Sequence, residues 1–166
     1  IQQYTFNGSD DQKWKVEDAG EGYVKFVSQS ETKSKLLDVL NGWSADGTNI
    51  QLYLDHGHDA QKFKLKPVSG GGYQLLAKCS NDEKCVMVSA GSAPNDVFAI
   101  RANIELGTAG SDSEPRSIWY FEPADEGNVS AAPQDGMLLR IRARHSGQYV
   151  RAVNDTCLLY TSPSPR

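Results

Sequence analysis

An internal repeat limits the possible folds of this chain more than any other feature of its sequence. Residues 1–16 (IQQYTFNGSDDQKWKV) and 50–65 (IQLYLDHGHDAQKFKL) align without gaps, and 8 of the 16 positions are identical. The two copies lie 49 residues apart, which is the length of one supersecondary unit. A third, weaker copy ends in RSIWYFEP, where Trp119 takes the place of Phe63 at an offset of 56 residues. The sequence therefore predicts three similar units.

Within each unit the residue pattern is typical of β-strands. Short runs rich in β-branched and aromatic residues recur in the middle unit, namely GYVKFVS, KLLDVL, NIQLYL and QKFKLKP. They are separated by segments rich in turn residues, such as SQSETK and NGWSADG. YVKFV alternates with a period of two, as a half-buried strand does, and no segment has the pattern of an amphipathic helix. We therefore predict an all-β fold with about four strands per unit.

The number of units separates the two folds that such repeats can build. A β-propeller needs at least about four blades, whereas at most three units precede the change of composition at PADEGNVSAAPQDG. The motifs DQKWKV, AQKFKL and SIWYFE resemble the Gln-x-Trp repeat of ricin-type β-trefoil lectins, and residues 35–63 resemble one complete repeat. This resemblance implies a β-trefoil of three repeats with Trp14, Phe63 and Trp119 in a shared core.

The resemblance also suggests where the domains lie. It covers residues 1–124, with the opening of the first repeat missing, so we expect an N-terminally truncated domain with uncovered strand edges and low stability. Residues 125–136 are expected to form a linker. Residues 137–156 resemble the start of a second β-trefoil repeat. Residues 157–166 (CLLYTSPSPR) resemble a translated sequencing adapter and are expected to be an artefact.

Charge and hydropathy argue against two classes of partner. The formal net charge is −4, whereas binding to nucleic acid or to an anionic lipid surface needs a surplus of Lys and Arg. No apolar run approaches the roughly 18 residues of a transmembrane helix. Arg140, Arg142 and Arg144 would share one face of a strand, and we expect this face to be solvated rather than to bind phosphate. Neither nucleic-acid binding nor membrane insertion is expected.

The middle repeat matches the family pattern for a carbohydrate site most closely. By this resemblance, Asp38 accepts hydrogen bonds from sugar hydroxyls and Tyr53 is the aromatic platform. Ala60 stands where the family usually has Asn, so His56 or Asp59 would have to supply the lost polar contact. The predicted carbohydrate-binding residues are Asp38, Gln51, Tyr53, His56, Asp59 and Gln61. The alternative is that Tyr53 packs in the core and that the two glutamines bond only to the backbone.

The other two repeats match the pattern less well. The first keeps a secondary, incomplete set of candidate residues, namely Gln2, Tyr4, Asp11 and Gln12, but we expect its counterpart of Asp38 to lie in the missing part upstream. In the third, Met87 replaces the aspartate and Arg101 falls near the platform position, so we predict that this site is inactive.

Metal binding and catalysis find little support in the sequence. His56 and His58 could suggest a metal site, but Gly57 between them indicates a turn, so we expect neither a metal nor a cofactor. No acid and base pair can be assigned to a cleft and no nucleophile motif occurs, so we expect no enzyme in this chain. Cys79 and Cys85 could form a disulfide across the end of a hairpin or remain reduced.

These observations favour a non-catalytic carbohydrate-binding module that recognises glycans weakly and gains strength from several sites. The family resemblance implies secretion and galactose-type ligands. A first alternative is a β-trefoil scaffold that binds proteins and has lost its sugar sites, which Met87 and Ala60 favour. A second is an accessory domain of a larger glycoside hydrolase, whose further domains lie outside this sequence.

Overall fold

The computed structural model describes residues 1–30, 35–89, 102–108, 115–124 and 132–152. The secondary structure of these residues consists of β-strands and short 3-10 turns. The strands are β1 (Gln2–Tyr4), β2 (Trp14–Gly20), β3 (Tyr23–Ser28), β4 (Lys35–Val39), β5 (Ile50–Leu54), β6 (Phe63–Pro67), β7 (Tyr73–Ala77), β8 (Lys84–Val88), β9 (Ile104–Thr108), β10 (Trp119–Pro123), β11 (Leu138–Ala143) and β12 (Tyr149–Arg151). Short 3-10 turns occupy Asp10–Gln12, Leu40–Gly42, Asp59–Gln61, Lys78–Ser80 and Pro115–Ser117. In these parts of the chain, no helix has the length and apolar character that a membrane span requires.

Six of the strands form a closed barrel. β2 pairs with β3, β3 with β6, β6 with β7, β7 with β10, β10 with β11, and β11 with β2. The other six strands form three antiparallel pairs, β4 with β5, β8 with β9, and β12 with β1. Each pair is joined to one barrel strand, through β3–β4, β7–β8 and β11–β12. This arrangement confirms the predicted all-β trefoil, with units β2–β5, β6–β9, and β10–β12 together with β1.

The repeated aromatic residues lie in one core, as predicted. Trp14, Phe63 and Trp119 are the first residues of β2, β6 and β10, and each is fully buried. The indole Nε1 of Trp14 donates to the carbonyl of Val150 at 3.2 Å, and that of Trp119 donates to the carbonyl of Val86 at 3.0 Å. Phe63 has no such donor, so the middle repeat relies on packing alone at this position.

Residues 137–152 differ from their prediction, because they do not begin a separate domain. β11 pairs with β10 and β2, and β12 pairs with β1. Leu139, Ile141 and Val150 are buried in the same core as the first three motifs. The physical reason is ring closure, since without β11 both β2 and β10 would expose an unpaired barrel edge. The edges of β1 and β2 that we expected to be uncovered are therefore paired, while residues 125–131 and 153–166 lie outside the described parts.

A buried polar network ties this closing segment together. The carboxylate of Glu122 on β10 is 1% exposed and accepts hydrogen bonds from Nε of Arg142 on β11 at 2.6 Å and from the hydroxyl of Tyr149 on β12 at 2.8 Å. Burial, followed by the bond to Glu122, raises the pKa of Tyr149 to about 12. The network thus holds three successive strands by hydrogen bonds from two donors to one charged acceptor.

Two of the three arginines predicted to form a solvated face, Arg140 and Arg142 of β11, do not form one. Arg140 is buried and donates to the carbonyl of Ala124 at 3.0 Å. Arg142 binds Glu122, and Arg144 lies within 3.4 Å of the carbonyl of Ser69. Arg140 and Arg142 bind groups of the protein itself because β11 lies inside the barrel ring rather than at an edge, whereas Arg144 lies beyond the end of β11 and is exposed.

Truncation of a motif aromatic should cost much more than loss of its hydrogen bond. We expect Trp119→Ala to lower the free energy of unfolding by about 3–5 kcal/mol, since it leaves a large cavity. Trp119→Phe should cost only about 1–2 kcal/mol, because it loses chiefly the bond to Val86. Urea unfolding monitored by circular dichroism measures both. Equal losses for the two variants would contradict the packing argument.

Loss of the Glu122 charge should destabilise the closing segment. In Glu122→Gln the side chain of Arg142 loses its ionic partner, which should cost about 2–3 kcal/mol because that arginine is still partly solvated. Tyr149→Phe removes only one hydrogen bond to the same carboxylate and should cost about 1 kcal/mol. Urea unfolding again gives both values, and a Glu122→Gln protein as stable as the wild type would refute the role of the network.

Candidate functional site

A cleft of about 650 Å³ opens beside the β4–β5 hairpin, which lies in the middle repeat of the sequence (residues 35–63). It is lined by Asp38, Val39, Leu40, Asn41, Gly42, Gln51, Tyr53, His56, Gly57, His58, Asp59, Ala60 and Cys79. Five of the six carbohydrate-binding residues predicted for this repeat are in that set, and Gln61 is not. The hairpin and the loop before the Gln-x-aromatic strand therefore bring these side chains together.

Asp38 lies at the base of the cleft and is held from two sides. It faces Gln51 across the β4–β5 ladder, and the Gln51 amide Nε2 donates to its Oδ1 at 3.1 Å. Nε2 of His56 lies 2.8 Å from its Oδ2. The backbone N–H of His58 donates to His56 Nδ1 at 3.0 Å, so Nε2 carries the ring proton and donates to Asp38. The imidazole of His56 and the amide of Gln51 thus fix the orientation of the Asp38 carboxyl group.

Asp38 is only 2% exposed, so a ligand can reach its carboxyl group only at the floor of the cleft. An ionised carboxylate has about four lone-pair sites, and Gln51 and His56 occupy one on each oxygen of Asp38. Because Ala60 carries no polar group, His56 is the residue of this loop that contacts Asp38, as the sequence allowed. Asp59 lies at the exposed rim, where it pairs with Lys62 and Lys78 at 3.7 and 3.6 Å.

Tyr53 presents its ring to solvent at the cleft. It is 51% exposed, which excludes the alternative that it packs in the core. Its ring centroid lies 5.8 Å from that of His56, and His56 in turn lies 4.9 Å from His58. The exposed phenol ring therefore stands next to the group that orients Asp38, where it can cover the apolar face of a ligand.

The motif glutamines have a different role from the predicted one. Gln61 is fully buried, its Nε2 donates to the carbonyl of Leu54 at 2.8 Å, and its Oε1 accepts from the backbone N–H of His56 at 3.2 Å. Gln12 makes the equivalent bonds to Thr5 and Asn7 at 2.7 and 3.1 Å. Both side-chain amides form hydrogen bonds with backbone groups of the loop before the motif strand. The prediction that Gln61 and Gln12 contact a sugar is therefore corrected, because these residues position the loops.

In the first repeat the counterpart of Asp38 is Arg151 of β12, so the expectation that it lies upstream of residue 1 was wrong. The strand register places Arg151 opposite Gln2, where the middle repeat has Asp38 opposite Gln51. The Arg151 guanidinium lies 4.2 Å from the centre of the Tyr4 ring, and its Nε lies 3.2 Å from Oδ2 of Asp11. Gln2, Tyr4 and Asp11 are brought together, but a cation covers the platform in place of an acceptor.

In the third repeat a thioether fills the site. Met87 pairs with Glu105 in the register of Asp38 and Gln51, and Gly107 takes the place of Tyr53. The Met87 sulfur lies against Gly107 so closely that a β-carbon there would collide with it. This supports the predicted inactivity, although the platform position belongs to Gly107, and Arg101 lies outside the described residues.

Cys79 and Cys85 do not form a disulfide with each other. Cys85 is buried with Leu76 and Met87, whereas Cys79 packs partly against the main core and lines the cleft. The thiols therefore lie in different apolar surroundings, which corrects the proposed pairing and agrees with the reduced alternative. Burial raises the pKa of the Cys79 thiol.

No group of three or more His, Cys, Asp or Glu side chains in the described ranges lies close enough together to hold a metal ion. Both ring nitrogens of His56 are already bonded, one to Asp38 and one to the His58 backbone. The segment around Gly57 is a hydrogen-bonded loop.

Sequence reasoning missed one side of the cleft. The turn Leu40–Gly42 and Cys79 line it, whereas the run NGW by itself predicts only a turn. Asn41 and Gly42 have left-handed φ values of 54° and 66°, a conformation that Asn and Gly adopt most readily. The NG pair was therefore a usable signal for a tight, fixed turn at this place.

The barrel, the hairpins and the cleft together define a β-trefoil domain of the lectin-like type. A family model described as ricin-type beta-trefoil lectin domain-like matches residues 1–53. The designed 3-fold symmetric protein ThreeFoil is 33% identical, with 66% of this chain and 72% of that chain covered and a TM-score of 0.56. The chain belongs to the ricin-type β-trefoil lectin-like family.

Two larger proteins with solved structures are also similar. A mosquitocidal holotoxin shares 11% identity over 92% of this chain, with a TM-score of 0.50, and supports the fold alone. The exo-beta-1,3-galactanase 1,3Gal43A from Clostridium thermocellum shares 24% identity over 63% of this chain, with a TM-score of 0.47. The chain spans about a quarter of each, since 24% of either chain is covered. No curated protein sequence matches.

The positioning role of the motif glutamine can be tested by a matched pair of variants. Gln61→Ala and Gln12→Ala should each lower the free energy of unfolding by about 1–3 kcal/mol, because each strands buried backbone groups. Only Gln61→Ala should shift the ring resonances of His56 in NMR spectra. If Gln61→Ala leaves both the stability and those resonances unchanged, the loop is held by other contacts.

Proposed function

We propose that this chain is a non-catalytic carbohydrate-binding module whose cleft in the middle repeat holds one sugar ring of a glycan. Family membership supports carbohydrate binding in general. The observation that carries the proposal is the pairing of a fixed carboxylate, Asp38, with an exposed ring, Tyr53, in one cleft.

The chemistry of the cleft suits a sugar. Hydroxyl groups donate to the free lone pairs of Asp38, and hydrogen bonds to a charged acceptor are the stronger kind. The C–H face of a pyranose ring packs on Tyr53, whose ring would otherwise remain in water. Gln51 and His56 keep the carboxylate in one orientation before binding, which lowers the entropic cost of binding.

Binding strength should be low at this single site. The equivalent positions of the other repeats carry Arg151 and Met87, so one copy of the domain offers one such cleft among its described residues. Useful affinity then comes from several modules that engage one glycan surface at once. Galactose-type glycans outside the cell are the ligands and the compartment that we propose.

A protein-binding scaffold is the second candidate. The observation that favours it is the loss of the acidic acceptor in two of the three repeats, at Arg151 and Met87. Those changes leave the barrel intact because they lie on the hairpins and not in the ring of six strands. A scaffold of this kind would not need Tyr53 to be exposed beside Asp38.

Removal of the platform should abolish sugar binding without unfolding the protein. We expect Tyr53→Ala to weaken binding to the glycans retained on a glycan array by about tenfold or more, since the ring packing is lost. The matched control is Tyr4→Ala, at the equivalent position under Arg151, which should leave binding unchanged. Absence of any array signal, or binding that Tyr53→Ala does not affect, would favour the scaffold.

A further inference from the structure

Trp43 differs from the other tryptophans of the chain. Trp14 and Trp119 are fully buried, whereas Trp43 is 57% exposed. It directly follows the turn Leu40–Gly42, all of which lines the cleft. Tyr53 lines the cleft, and Trp43 lies outside the lining but directly after the turn that forms one of its walls. The proposed contact with one sugar ring uses only the first.

The backbone holds Trp43 in this exposed position. Its N–H donates to the carbonyl of Leu40 at 3.1 Å, and the Leu40 N–H donates to the carbonyl of Asn49 at 3.0 Å. The turn between them has left-handed residues at Asn41 and Gly42, and a β-carbon at Gly42 would meet the Ala60 methyl at 3.8 Å. The turn therefore rests on the loop of the opposite wall.

The rest of this connection is anchored as well. The Thr48 hydroxyl donates to the carbonyl of Ala45 at 2.7 Å, and the Gly47 N–H donates to the carbonyl of Leu106 on β9 at 2.8 Å. Residues 40–49 are therefore tied to their own hairpin and to the next repeat. A side chain on such a segment loses little backbone freedom when a ligand packs on it.

We propose that Trp43 stacks on a second sugar ring of the glycan whose first ring lies between Asp38 and Tyr53. The inference rests on the proposed function and extends it: the ligand class becomes an oligosaccharide rather than a monosaccharide. The cleft volume of about 650 Å³ lies well inside the range of about 300–1,000 Å³ that accommodates drug-sized ligands. Indole is the largest aromatic surface that a side chain offers, and its exposure in water is relieved by such stacking.

The test measures binding of a monosaccharide and of a disaccharide that contains it. The probes are galactose with lactose, and in parallel xylose with xylobiose and N-acetylglucosamine with chitobiose. For at least one pair we expect the disaccharide to bind about fivefold more tightly than its monosaccharide, as one aromatic contact would give. Trp43→Ala should remove this preference and leave the monosaccharide dissociation constant unchanged, while Trp43→Phe should retain part of it.

Acrylamide quenching of tryptophan fluorescence gives an independent readout. Because Trp14 and Trp119 are fully buried, the quenchable emission comes from Trp43. The disaccharide should reduce the quenching constant and the monosaccharide should not. Trp43→Ala should remove the quenchable component, and its unfolding midpoint should match the wild type because the side chain is exposed.

The two proposals fail in different ways. If a disaccharide binds but leaves the quenching constant unchanged, or if Trp43→Ala weakens the monosaccharide as much as the disaccharide, the second subsite is refuted while the module still binds sugar. If no pair binds, or if Tyr53→Ala leaves binding intact, the proposed function itself is overturned and the second subsite falls with it.

Discussion

The pairing of β11 with β2 is the contact on which the rest of the molecule depends. It closes the ring of six barrel strands, and its register sets Leu139 beside Trp14. Closure removes water from the three motif aromatics at once, because each is the first residue of a barrel strand that faces the common core. An open ring would expose strand edges and aromatic surface together. The hairpins that carry the candidate sites are stable because they are attached to this ring.

One backbone framework carries three different sets of side chains. At equivalent register positions the hairpins have Asp38 with Gln51, Arg151 with Gln2, and Met87 with Glu105. The motif glutamine is kept in the first two repeats because it satisfies buried backbone groups of the loop. The paired hairpin positions differ in charge and polarity among the three repeats, while the six-stranded barrel is the same. The residues that hold the loops and the residues that differ among the hairpins therefore occupy neighbouring but separate positions.

Much of the fold could be predicted from local pattern, and the parts that could not involve contacts distant in the chain. The repeat period, the alternation of strand residues and the places of Trp14, Phe63 and Trp119 follow from residues close together in sequence. The partner of Trp14 does not, since the carbonyl of Val150 lies 136 positions away. Sequence similarity identified residues 137–156 as the start of another repeat. Such a resemblance does not specify the pairing partners of a strand, and β11 in fact pairs with β10 and β2 of the same barrel.

For the candidate site, the sequence by itself determined which residue types surround the cleft, with Asp38, Gln51, Tyr53 and His56 indicated by the resemblance of one repeat to the family pattern. Only the tertiary structure decided how they act. In that structure both polar atoms of the Gln61 side chain bond to the backbone, and His56 contacts Asp38. The Arg151 guanidinium lies over the Tyr4 ring. The physical reason is that spacing along a strand determines which residues share a face, whereas the direction of a hydrogen bond and the identity of a cross-strand partner depend on the packing of the whole barrel.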